Sequence, residues 1–427
     1  MINTSMECVI VGGGIAGFQA ALACRASRPD KAVTLIDAEN ETGYYRALLP
    51  QFMAGTLEEG KLFFRQGEDD PLFTVRTGIR AKALDRDGRR LLLEDGESLS
   101  YDRLILAHGG NPRLPGIVAD QSCRGIFPLR DLTTARKTRK WLADHRKVVV
   151  LGGSLVGVKT AVHLSQAGFE VSILVRRSHI LLRVLAPEAA EIVENHLRNM
   201  GIRLCLYAEL EDIRVQAGTI SAIKAGGGWL DCDTLLVAAG IVPDRSFLEG
   251  SGLLTDGELV VSPALQTADP RIFAAGDVAV IAAPGEGHFS PNTWPQAVSQ
   301  GRLAGGNLYR SVPLPHKELS RINAMELHGL AIVILGPPIP GAEAVSHARP
   351  EAGVRRELFL HGGKPVGGAL IGDISAAGPL HALMNAGREI NTGDIELLRP
   401  CRQAVIRFPE QAGRRQALIL SSKRSCL

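Results

Sequence analysis

Aromatic residues are scarce in this chain, only 5% of its 427 residues, and they offer no platform for stacking nucleobases. The formal net charge is +3, too small to imply nucleic acid or an anionic membrane as partner. No stretch of about 18 uninterrupted apolar residues occurs, so no membrane span is expected. The opening MINTSMEC has no basic n-region, which argues against a signal peptide. Seven cysteines are scattered at positions 8, 24, 123, 205, 232, 401 and 426. No pair has CxxC spacing and the number is odd, so the expectation is a reducing cytoplasm and no disulfide framework. No metal-ligand spacing is visible. With 45% apolar and 22% charged residues, the chain has an ordinary globular composition, long enough for two or three domains.

What the sequence does have is glycine between strands and helices. In VIVGGGIAGFQAALAC, residues 9–24, the apolar run Glu7–Val11 reads as a buried parallel strand. It leads straight into Gly12, Gly13 and Gly14, then Ile15, Ala16 and Gly17, then a helical stretch to about Ser27. Gly12, Gly14 and Gly17 satisfy GxGxxG. The first permits a tight turn, the second lets backbone approach a pyrophosphate, and the third lets helix and strand pack closely. The helix start, with Ile15 and Ala16, would turn free N–H groups and a positive dipole end toward two phosphate charges. A second strand, AVTLIDAEN, reaches Asp37 twenty residues after Gly17, where a carboxylate can accept a bond from an adenosine ribose hydroxyl. The bland reading is a structural glycine turn; the strand, the helix and the spaced acid together outweigh it.

Farther on, DRDGRR is a hairpin signal between two short strands, and Leu104–Ala107 is another buried run. HRKVVVLGGSLVGVKTAVHLSQAGFEVSILVRRS then repeats the strand–turn–helix–strand plan. Gly152, Ser154 and Gly157 stand at the glycine positions, and Ala161 answers Ala21. Two copies of one nucleotide-binding unit suggest two nucleotides held by two domains. After further strands, QTADPRIFAAGDVAVI suggests a return of the chain to the first domain. PNTWPQAVSQGRLAGGNLY reads as a helix, with Pro295 near its first turn and Gly305-Gly306 near its end.

The ordered set VIVGGGIAG, YDRLILAHGG, VVVLGGSLVG, LLVAAGIVPD, IFAAGDVA and AVSQGR resembles the two-dinucleotide-binding flavoprotein superfamily. YYRALLP, GIFPLRDLTTARKTRKWL and ALIGDISAAGPLHALMNAGREI resemble, more narrowly, rubredoxin reductases and the flavin region of NADH-dependent nitrite reductases. The resemblance covers roughly residues 6–390. It implies an α/β fold of two Rossmann-like dinucleotide-binding domains with a C-terminal α+β interface domain. The FAD domain would be discontinuous, 1–115 and 242–311, with the NAD(P)H domain at 116–241 and the interface domain and tail at 312–427. Gly12, Gly14 and Gly17 would hold the FAD pyrophosphate, and Asp37 or Glu39 the ribose. Arg46 matches a basic residue near the flavin, Ala107 and Gly109 the turn after the AHG strand, and Asp277, beside Gly276, an aspartate on the ribityl chain. The helix after Trp294 would aim its N-terminus at the flavin edge where charge grows on reduction.

Several positions depart from the family pattern. Ser154 replaces the middle glycine of the second turn, though a hydroxyl can still donate to phosphate. Val175 replaces the acid that ends the second strand, and Arg176 and Arg177 follow it. Loss of that carboxylate removes a partner of the NAD 2′-hydroxyl, and a nearby arginine suits a 2′-phosphate; the other reading is a solvated basic loop. The co-substrate is therefore NADH or NADPH. Lys159 stands where relatives carry a glutamate near the nicotinamide–flavin contact, and a catalytic role there competes with that of an ordinary helix-surface lysine. His108 replaces the threonine of the family's ATG turn and reads as a packing residue, as do His163, His288 and His328.

Disulfide reductases of the superfamily carry CxxxxC on the helix facing the flavin. This chain has no cysteine between Cys24 and Cys123, so electrons would leave the flavin without a thiol relay. The resemblance implies an enzyme passing electrons from NAD(P)H through FAD to a small iron–sulfur carrier of the rubredoxin or ferredoxin class, with a possible homodimer surface. The alternatives are an oxidase or quinone reductase, and a non-catalytic FAD-binding assembly or sensor protein. The tail CRQAVIRFPEQAGRRQALILSSKRSCL, broken by Pro409 and Gly413, argues against an amphipathic membrane anchor.

Overall fold

Glu7–Val11 is the middle strand of a five-stranded, wholly parallel sheet. The computed structural model describes residues 7–64, 73–283, 287–289, 293–316 and 322–399. The middle strand pairs with Ala32–Ile36 on one side and Arg103–Leu106 on the other. Thr74–Arg76 closes one edge and Ile272–Ala274 the opposite edge. That last strand comes from far along the chain, so the unit is discontinuous, as the IFAAGD phrase suggests. Val9 and Ile10, Leu35 and Ile36, Leu104–Leu106 and Ile272–Ala274 are buried apolar runs, the pattern of a parallel sheet covered by helices, while the edge strand Thr74–Arg76 is polar and partly exposed.

A second parallel sheet repeats the plan. Lys147–Leu151 lies between Glu170–Val175 and Thr234–Val237, with Arg203–Leu206 and Ile126–Pro128 at the edges. Here the edge strand beside Thr234–Val237 precedes the glycine turn, whereas in the first sheet the corresponding strand arrives last. A third, antiparallel sheet is formed by Asn323–Leu327, Leu330–Gly336, Lys364–Ile371, Val354–His361 and Glu343–Arg349. One face, with Leu327, Ile332, Ile334 and Ile371, shares a core with the helices of the second sheet. The other, with Val333, Leu358 and Leu370, is covered by Leu380 and Leu383 of the helix Ala377–Ala386.

Two chain passages join the nucleotide-type sheets. Gly110–Pro112 leaves the first and Ile241–Pro243 returns, and the two pair antiparallel. A Cβ on Gly110 would press into the Val242 carbonyl, so only glycine permits this approach. The tail from residue 400, on which the membrane-anchor argument rested, lies outside the described residues, as do the side chain of His288 and Cys401 and Cys426.

Candidate dinucleotide-binding cleft

Ligands of open α/β sheets bind beyond the carboxyl ends of the strands, where the connections diverge. Here those ends open on a single cleft of about 1220 Å³, above the roughly 300–1,000 Å³ of one ordinary small-molecule pocket. Both glycine-rich turns line it.

At the first turn, Gly12 has φ +106°, and its ideal Cβ would stand 2.5 Å from the Ala107 carbonyl oxygen and from the His108 Cα. Nothing lies within 4 Å of a Cβ on Gly14, which faces open space. Gly14 is also the N-cap of the helix Ile15–Ser27, and no side chain caps that end. Ile15 and Ala16 line the cleft there, so unsatisfied N–H groups and the helix dipole face into it. A pyrophosphate suits this donor set. Gly17 does not line the cleft; a Cβ there would collide with the Gly12 carbonyl, and its role is the close packing of helix on turn.

Asp37 and Glu39 both line the cleft. Asp37, almost buried, accepts N–H bonds from Gly13 at 3.0 Å and Glu39 at 3.2 Å. Burial raises its pKa, and the neighbouring Glu39 carboxylate adds to the rise. Glu39 accepts from the Tyr44 hydroxyl at 2.5 Å and is paired with the Arg46 guanidinium. Arg46 also donates to the Tyr44 oxygen at 2.7 Å and the Arg130 carbonyl at 3.1 Å. Ala107, Gly109, Gly276 and Asp277 complete this side. The helix Trp294–Asn307 starts at Thr293 without a side-chain cap, and Thr293 and Trp294 both line the cleft.

The second turn differs in detail. Gly152 and Ser154 line the cleft; Gly157 packs against the Gly152 carbonyl as Gly17 does against Gly12. The Ser154 hydroxyl is occupied internally. It accepts from the Gly157 N–H at 3.4 Å and donates to the Ala238 carbonyl at 3.3 Å. Serine thus caps the helix Leu155–Gln166 itself, which the hydroxyl-to-phosphate expectation left out. Arg176 and Arg177 line the cleft and are exposed. Lys159 is not on the wall. It lies on that helix beyond the lining residue Val156, and burial alone lowers its pKa.

Two features were not anticipated. Arg130 lines the cleft, with its guanidinium 3.7 Å from the Asp277 carboxylate. Burial, then repulsion from Arg46, lowers its pKa. It follows the strand Ile126–Pro128 by two residues, so the strand-end rule was the signal that would have found it. His108 also lines the cleft, with Nε2 2.7 Å from the Asp244 carbonyl oxygen. Nε2 therefore carries the proton, and buried Nδ1 is an acceptor with no partner among the described residues. Burial pushes its pKa down to about 4, against the opposing bond to Asp244.

Among the described residues no cysteine lines the cleft, and the five described cysteines are free. Among the described residues there is no group of metal-ligating side chains and no helix long and apolar enough to cross a membrane.

A family model for pyridine nucleotide-disulphide oxidoreductases matches residues 6–301. The chain belongs to that family. It is 31% identical over 314 residues to the anthranilate 1,2-dioxygenase system ferredoxin–NAD(+) reductase component of Burkholderia cepacia, covering 70% of this chain and 75% of that one. It is 26% identical over 412 residues to an NADH oxidase of Methanocaldococcus jannaschii, covering 88% and 90%. Among solved structures, the covalent putidaredoxin reductase–putidaredoxin complex superposes with a TM-score of 0.84 at 23% identity, covering 92% of this chain and 96% of that one. The two-nucleotide fold expected for this oxidoreductase is thus present, without the thiol pair that the family name implies.

Proposed function

We propose that this chain is an FAD-dependent oxidoreductase that takes electrons from a reduced nicotinamide nucleotide and passes them to a small iron–sulfur carrier of the ferredoxin or rubredoxin class. The observation that carries the reading is one cleft lined by two glycine-rich turns and, among the described residues, by no cysteine. In this reading residues 1–115 and 242–311 hold FAD, 116–241 the nicotinamide nucleotide, and 312–427 the cover that shapes a partner or dimer surface. A bound flavin would accept a hydride from nicotinamide and release electrons one at a time, chemistry that belongs to the cofactor.

The protein's own residues position and polarise. The uncapped helix start at Gly14 supplies N–H groups to the pyrophosphate. Asp37, held by two backbone N–H groups, would present its remaining lone pairs to the adenosine ribose, and the Arg46-tied Glu39 stands beside it. Asp277, ion-paired with Arg130 at 3.7 Å, would stand beside the ribityl chain, and the arginine would neutralise charge near a phosphate or a reduced ring. The second uncapped helix start, at Thr293, would turn its positive end toward a flavin edge where negative charge develops. The free thiols suit a reducing cytoplasm.

The test is anaerobic mixing of the purified yellow protein with NADH and NADPH, followed by ferredoxin, rubredoxin, quinone and oxygen as acceptors. Bleaching within the mixing time of a turnover, then fast reduction of an iron–sulfur acceptor, is the expected result. Rapid re-oxidation by oxygen alone would favour the oxidase reading, and no bleaching by either nucleotide would make the chain a non-catalytic flavin binder.

A further inference from the structure

Resting on the reading that the cleft binds flavin and feeds a small iron–sulfur carrier, we propose that Trp294 and Tyr45 form the exit for electrons. In this arrangement the Trp294 ring touches the flavin, and the Tyr45 ring beside it is where the carrier meets the protein. Trp294 lines the cleft at the uncapped start of the helix Trp294–Asn307. Its ring meets that of Tyr45 with centroids 5.3 Å apart and planes tilted by 38°. Tyr45 is 37% exposed, so two adjoining rings lead from the cleft wall to solvent.

Among the described residues, the wall next to this pair offers no such path. Leu49, Pro50 and Met53, on the helix Leu49–Met53, line the cleft but are buried, and they carry no group that takes up electrons. The opposite wall belongs to the second glycine turn, where the nicotinamide nucleotide lies in this reading. A carrier must then approach from the side of the first unit.

The rings are held in place rather than free. Phe64 stands edge-on to both, 5.1 Å from Tyr45 and 6.1 Å from Trp294, and edge-on to buried Phe18 at 5.1 Å. Edge-to-face contact at such separations is a favoured arrangement of ring quadrupoles. The Tyr45 N–H donates to the Leu62 carbonyl at 2.8 Å, and the Phe64 N–H to the Gly43 carbonyl at 2.9 Å. The pair is therefore fixed before a carrier arrives, which lowers the ordering cost of docking. Tyrosine also suits the contact itself, with an apolar ring and one polar tip.

The rings conduct by contact and are never themselves oxidised, because an indole or a phenol holds its electrons far more tightly than a reduced flavin does. One reduced nicotinamide nucleotide and two oxidised carriers yield the oxidised nucleotide, two carriers each reduced by one electron, and one proton released to solvent.

The experiment has an optical arm and a kinetic arm. An indole touching an excited flavin donates to it and quenches its emission, so bound-flavin fluorescence reports the contact without turnover. Trp294→Phe should raise the emission per bound flavin several-fold. For the kinetic arm, the flavin-loaded protein is photoreduced without oxygen and mixed with a two-iron ferredoxin, with rubredoxin, or with ferricyanide, which is small enough to reach the flavin without docking. Tyr45→Leu should lower the ratio of the carrier rate to the ferricyanide rate at least about tenfold, and Tyr45→Phe should recover most of it. Unchanged emission in Trp294→Phe overturns the ring contact, and an unchanged rate ratio in Tyr45→Leu overturns the exit. A wild type that reduces ferricyanide but neither iron–sulfur protein removes the carrier reading, and the exit with it, while raised emission in Trp294→Phe would still support the ring contact.

Discussion

His108 and Ser154 show how a single side chain redirects a shared motif. His108, just past the strand Arg103–Leu106, bonds the Asp244 carbonyl just past the returning connection, at 2.7 Å, so its state of protonation bears on how that connection is held. An imidazole in the unfolded chain titrates near 6.5, whereas burial holds the folded one at about 4. Between those values the unfolded chain binds a proton that the folded protein refuses, so stability falls as pH drops from about 6.5 to about 4. Above that window both states are neutral, and below it both are charged, so this group contributes no slope outside it. The loss is up to about 3 kcal/mol. Urea midpoints measured across pH 4–7 should decline less steeply for His108→Asn than for wild type; parallel profiles would remove His108 from the account. This was not legible beforehand, because AHG reads equally as a packing turn, and only the facing Asp244 carbonyl, distant in sequence, supplies the bond. Ser154 was visible as an anomaly, but its two internal bonds required the coordinates of Gly157 and Ala238.

At the scale of elements, the decisive contact is between the helices Ile15–Ser27 and Trp294–Asn307, whose uncapped starts both open on the cleft. They approach backbone to backbone: a Cβ on Gly301 would press into the Ala16 carbonyl, and one on Gly305 into the Ala20 carbonyl. Gly301→Ala must push the helices apart, at a cost of about 2 kcal/mol or more, and should lower the flavin content of the purified protein and its thermal midpoint together. Normal flavin content with an unchanged midpoint would mean that this approach does not position the cofactor. The GxxxG spacing of 301 and 305 was in the sequence, but its partner surface lies near residue 16, about two thirds of the chain away. Strands and turns were legible for a local reason. Glu7–Val11, Lys147–Leu151 and the Ala81–Asp85 hairpin with Arg90–Leu93 carry their apolar runs and turn residues within one short window. The arginine that faces Asp277 was not, since the proximity of Arg130 to it depends on where the edge strand Ile126–Pro128 is inserted.

For the whole molecule, duplication explains the layout. Two parallel sheets of the same central order each end in a glycine turn, and the paired connections Gly110–Pro112 and Ile241–Pro243 set those ends around one cleft. The antiparallel sheet then shares its core with the second unit. The recurrence of the motif announced this arrangement from sequence, and the absence of cysteine between 24 and 123 announced its chemistry. What the central claim requires is direct delivery of one electron pair from nucleotide to flavin with no sulfur store between them. An anaerobic reductive titration counts those electrons. The account predicts complete bleaching after one equivalent of reduced nucleotide per flavin, with no further uptake; a requirement for two equivalents, or a flavin that stays oxidised, would contradict it.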